Sequence, residues 1–160
     1  MIQRRQTIYM FLAAILSALL FFIPLISFNG EHIVMNFTIF GIENPIEALS
    51  ATHSTWPLII LAALMVVLPV YTALRFKKRE LQVKLCKLNM LLNIVFVGLV
   101  LLLYESSIKE VIQEIESDAK IIDIYYFTMA IPAINLILEI FAIRGVKKDI
   151  ELLKSVDRLR

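Results

Sequence analysis

Four long apolar stretches, separated by short segments that hold nearly all the charges, set the pattern along the chain. The first charge-free window runs from Gln6 to Gly30, 25 residues rich in Leu, Ile, Phe and Ala. At about 1.5 Å per residue, roughly 20 helical residues cross a bilayer's hydrocarbon core, so this window is long enough. The second, Ala48 to Leu74, contains Trp56-Pro57, an interfacial aromatic followed by a proline suited to a first helical turn. The third, Leu88 to Tyr104, has 17 residues and ends in an interfacial tyrosine. The fourth, Ile124 to Ile143, follows Asp123 and holds one acid, Glu139. The pattern predicts an all-α membrane protein, a four-transmembrane-helix bundle with spans at 7–28, 56–75, 87–104 and 124–143. The whole chain, 1–160, is expected to form a single integral membrane domain, with a tail at 144–160.

The first stretch has the basic start of a secretory signal, Arg4-Arg5, but its apolar run exceeds the roughly 7–15 residues of such a signal. No small-x-small cleavage site follows it, and an uncleaved span is expected.

The connections carry patterns of their own. Between Asn29 and Thr55, the run His32 to Phe40 is β-prone and puts Ile33, Met35, Phe37 and Ile39 on one face. It reads as a short strand or hairpin over the outer end of the bundle, or as a loosely ordered loop at the interface. Its Asn36-Phe37-Thr38 is a glycosylation sequon, relevant only in a eukaryotic source. Ser107 and Glu110 fit a capping box, after which Ile108, Val111, Ile112, Ile115, Ala119 and Ile122 keep helical spacing. This acidic amphipathic helix is expected to pack within the chain or on a partner, since anionic lipid favours basic faces. The tail repeats the theme, with Leu152, Val156 and Leu159 in a stripe beside Lys147, Lys148, Lys154, Arg158 and Arg160. Such a helix lies on the inner leaflet or docks on another protein.

Composition agrees with the pattern: 59% hydrophobic and 19% charged residues exceed and fall short of globular norms respectively. Charge then fixes orientation. Fourteen of the sixteen Lys and Arg lie at the N-terminus, in Arg75–Lys87 and after Phe141, while only Lys109 and Lys120 lie in the other connections. By the positive-inside rule both termini are cytoplasmic. The net charge of +2 is accounted for by this asymmetry, and a nucleic-acid partner is not expected. One cysteine, Cys86, excludes a disulfide framework.

Candidate chemistry is sparse. Glu139 is the one formal charge inside a span, and such residues are functional candidates. Its placement near Arg144, Arg75 and Lys87 predicts an ion pair or hydration at the cytoplasmic end. Asn135 lies one turn earlier on the same face, and Asn89 and Asn93 form an i, i+4 pair in the third span. These four form either interhelical hydrogen bonds or a polar path for a proton or ion. Pro24, Pro69 and Pro132 each fall inside a span and free a backbone carbonyl. Ala13-xxx-Ser17 and Ala14-xxx-Ala18 permit close approach of another helix. His32 and His53, with Glu31, Glu43 and Glu47 nearby, lack the spacing of a dedicated metal site. No catalytic constellation, cofactor motif or metal motif is present, so catalysis is not expected.

Both ends of the chain carry recognisable words: Met1 to Tyr9, Arg144-Gly145-Val146-Lys147-Lys148-Asp149, and Ser155 to Arg160. They resemble an uncharacterised four-helix integral membrane family of the Bacteroidetes, domain of unknown function 4293. The resemblance implies the bacterial inner membrane and one domain, and supplies no activity. It directs attention to the tail, where Lys147, Lys148, Asp149, Asp157, Arg158 and Arg160 are expected to contact lipid, a membrane or cytoplasmic protein, or the bundle's own inner loop. The leading expectation is a non-catalytic accessory or scaffold component of that membrane. The alternative is a small oligomeric transporter or channel, a homo-oligomer with its path along Asn89, Asn93, Asn135 and Glu139.

Overall fold

The computed structural model describes residues 5–29, 34–43, 55–76, 78–103, 121–124 and 126–158. Among the described residues four helices form the body: α1 (Arg5–Leu19), α2 (Trp56–Leu74), α3 (Arg79–Leu103) and α4 (Tyr126–Arg158). Consecutive helices are neighbours and α4 closes on α1, giving an up-and-down square. Three of them, α2, α3 and Thr128–Leu153 of α4, are long and apolar enough to cross a membrane. Their outward faces are apolar as well, with Ile60, Leu64, Val67, Leu91, Ile94, Leu102 and Ile137 exposed. Water would penalise such a surface, whereas lipid does not.

At one end sits a four-stranded antiparallel sheet of order β3-β2-β1-β4, made of β1 (Ile26–Asn29), β2 (Val34–Thr38), β3 (Gly41–Glu43) and β4 (Ile121–Ile124). The expected apolar face of the 29–55 connection is realised where it is described, since Phe37 and Ile39 are buried. Gly41, at φ 138°, turns β2 into β3, a backbone that glycine adopts without strain. Two threonines fasten the sheet to the helices: Thr55 Oγ1 donates to Phe40 O, and Thr128 Oγ1 donates to Pro24 O, each at 3.0 Å.

Three boundaries depart from the sequence reading. The first span, expected over 7–28, is helical only through Leu19 and tightens into i→i−3 bonds at Leu20, Phe21 and Phe22. Residues 26–29 instead extend as β1, and Pro24 lies between helix and strand rather than inside a span. A residue before proline is driven away from helical ψ, so the turns that follow α1 cannot continue as helix past Ile23. The helix expected over 107–122 yields its last residues to β4, where Ile121, Ile122 and Ile124 suit a pleated ladder. Residues 104–120 lie outside the described residues. Finally, the fourth span and the tail are one uninterrupted helix, α4, rather than a span ending at 143 and a separate segment. Its 33 residues extend about 50 Å, well past a bilayer's hydrocarbon core.

Candidate functional site

The buried face of α3 is unusual for a membrane-length helix. It runs Gln82, Cys86, Asn89, Asn93, Phe96, Val100, polar over its first half and apolar over its second. The buried face of α4 runs Ile131, Asn135, Glu139, Ala142, Val146. The two helices are antiparallel, and two contacts fix their register. Arg79 Nε meets Asp149 Oδ2 at 3.9 Å near the charged end. Ten residues further along α3 and ten back along α4, Asn89 Nδ2 donates to Glu139 Oε1 at 2.7 Å. Four more residues bring Asn93 level with Asn135, whose Nδ2 donates to Ser17 Oγ of α1 at 2.9 Å. Asn93 Nδ2 donates back to Asn89 O at 2.9 Å.

The structure therefore gathers all four predicted intramembrane polar residues into one layer spanning α1, α3 and α4. Each is at most 1% exposed. The ion pair expected for Glu139 is not what forms: its described partners are the Asn89 amide and the neighbouring Cys86 thiol, neither of them cationic. Arg144 and Arg75 are exposed, and the Arg75 guanidinium stacks on the Tyr71 ring at 5.0 Å. Both arginines face away because a hydrated guanidinium at the helix ends costs less than one buried in the core.

An apolar cluster closes the layer on the sheet side, and on the charged side a second cluster packs beside the buried polar Gln82, Thr72 and Gln6. On the sheet side Leu20, Leu58, Met65, Phe96, Val100 and Ile131 pack together. On the charged side Met10, Ala73, Cys86, Ala142 and Val146 do so. Near that end α1 and α4 come so close that a Cβ on Gly145 would lie 3.1 Å from Gln6 Cβ. Gln82 Nε2 likewise bridges α2 and α3 by donating to Thr72 O at 2.9 Å.

Every amide in the layer uses its NH₂ and leaves its oxygen idle. Asn89 Oδ1, Asn93 Oδ1, Asn135 Oδ1 and Glu139 Oε2 are buried and accept no hydrogen bond. Ser17 and Gln82 belong to this polar interior and were not singled out by their side-chain chemistry, and Cys86 is buried beside them. The signal for α3 was available, since 82, 86, 89 and 93 fall on one helical face.

Tail residues divide. Asp149 faces α3 through Arg79, against the bundle's own charged end. Lys147 and Lys148 are exposed, as are Leu152 and Leu153 on the part of α4 beyond the packed residues. The side chains of Asp157, Arg158 and Arg160 lie outside the described residues, as do His32 and His53. Among the described residues no group of three His, Cys, Asp or Glu is placed to hold a metal ion. A separate apolar cavity of about 510 Å³ opens between α1 and α2, lined by Ala18, Phe21, Phe22, Phe40, Ala63, Val66 and Val67.

A family model described as a domain of unknown function (DUF4293) matches residues 2–159. No curated protein and no solved structure matches the chain.

Proposed function

The chain belongs to the DUF4293 family, whose description carries no activity, and from its geometry we propose a non-catalytic accessory or scaffold component of the bacterial cytoplasmic membrane. In this reading α1, extended by its tight turns to Phe22, completes a four-span bundle, and both termini lie in the cytoplasm. The sheet then covers the outer face. The fourteen-to-two asymmetry of Lys and Arg supports that orientation.

The observation that carries the reading is the closure of the polar layer. A conduit needs polar groups or water along its whole length, and the apolar cluster on the sheet side closes this layer at that end. The amides instead tie α1 to α4 and α3 to α4. What remains available for contact is the far end of α4, where Leu152 and Leu153 are exposed beside Lys147 and Lys148. Exposed apolar side chains rimmed by charge are the surface type that protein partners bury.

Purified protein in sealed vesicles tests the exclusion of transport. Passive sodium, potassium and proton fluxes should match those of protein-free vesicles, and Glu139→Gln should change none of them. Flux above that background, lost in Glu139→Gln, would establish the transporter alternative with its path along Asn89, Asn93, Asn135 and Glu139.

A further inference from the structure

We propose that the closed polar layer between α3 and α4 holds one hard monovalent cation, sodium or potassium, bound by Asn89 Oδ1, Asn93 Oδ1, Asn135 Oδ1 and Glu139 Oε2. The site stands on the layer's geometry and does not depend on the accessory reading.

Buried polar atoms in folded proteins are satisfied nearly without exception, so four unpaired oxygens on two successive turns of one layer require an explanation. All four are acceptors, and the layer's amide donors are already used by Ser17 Oγ, Asn89 O and Glu139 Oε1. Rotating an amide to present its NH₂ would break one of those bonds and leave another acceptor bare. What the layer lacks is positive charge or protons. The register supplies the convergence: Asn89 and Glu139 meet at 2.7 Å, and Asn93 and Asn135 stand level one turn away, about 6 Å toward the sheet.

Donor chemistry selects the ion. Amide carbonyl and carboxylate oxygens suit hard cations, and a transition metal would call for imidazole or several thiolates. Net charge selects the valence. One carboxylate is balanced by one positive charge, whereas a divalent ion would leave an excess charge beside the apolar Phe96 and Ile131. The uncompensated carboxylate and its bare neighbours are thereby satisfied together.

The test is thermal unfolding of the full chain in mild detergent at constant ionic strength, with choline chloride replaced stepwise by sodium or potassium chloride. Sodium or potassium should raise Tm saturably, by about 5–10 °C at a hundredfold excess over Kd. Glu139→Gln keeps the acceptor for Asn89 and the side-chain volume while removing the charge, so it should fold and lose the cation-dependent shift. A measurement on the unaltered protein stands beside it: elemental analysis after exchange into choline buffer and titration with sodium or potassium should count one ion per chain. Identical Tm in all three salts overturns the proposal, and so does a cation shift that survives Glu139→Gln. A protein stabilised equally by lowering pH in choline alone would identify the missing partner as a proton, which also overturns it.

Discussion

Replacing Asn89 by leucine is expected to destabilise the bundle by about 2–3 kcal/mol, far above the roughly 0.6 kcal/mol of an average interhelical hydrogen bond in a membrane. The difference lies in what is left behind. Asn89 Nδ2 makes the 2.7 Å bond to Glu139, and no other amide of the layer reaches that carboxyl. Its loss leaves a buried acidic group with only the Cys86 thiol beside it, and truncating one partner of a buried pair costs more than the pair itself contributes. Adding Glu139→Leu on that background should therefore restore at least half of the loss, because it removes the buried carboxyl that Asn89→Leu leaves without its amide partner. Reversible unfolding in mixed detergent, measured on both single variants and the double variant, checks this. Additive losses would show that Asn89 and Glu139 act independently.

Phe96→Ala is expected to be the second large effect, about 3 kcal/mol. Phe96 heads the fully buried side chains by volume and sits one turn beyond Asn93, where the polar layer gives way to the sheet-side cluster. Lipid is as apolar as the cluster, so the transfer part of the cost shrinks. The cavity and the lost dispersion contacts remain, which puts the value at the lower end of the range for such truncations. Ile94→Ala, on the lipid face at 57% exposure, should change stability by under about 0.5 kcal/mol in the same assay. Equal effects at the two positions would mean that α3 buries a different face.

The helical body was legible because its signals are local. Trp56-Pro57 opens α2 at the expected residue, and the spacing of Asn89 with Asn93 and of Asn135 with Glu139 put each pair on one face. That these faces meet was not legible, because the register between α3 and α4 is set by contacts fifty or more residues apart. The same limit hid the sheet. Ile121–Ile124 is apolar and β-branched, but its partner is Ile26–Asn29, nearly a hundred residues earlier, at the end of what reads as a span. The pairing ends α1 early and displaces the tail of an otherwise convincing helical stripe. The partner of Glu139 was misjudged for a physical reason as well. Proximity in sequence favoured Arg144, whereas a helix turns that side chain outward to water and presents the carboxyl to α3. The continuation of α4 through Arg158 had no stop signal against it, since Gly145 is a contact glycine against Gln6 rather than a helix terminator.

The accessory reading is tested most directly by the mass and composition of the complex extracted from native membranes in mild detergent, with the full chain and with a chain ending at Ile150. That truncation spares Val146, Ile150 and the Asp149–Arg79 pair, and removes exposed Leu152 and Leu153. A stoichiometric second protein that co-purifies with the full chain and is absent from the shortened one is the predicted result. A complex built only of copies of this chain, unchanged by the truncation, would contradict it.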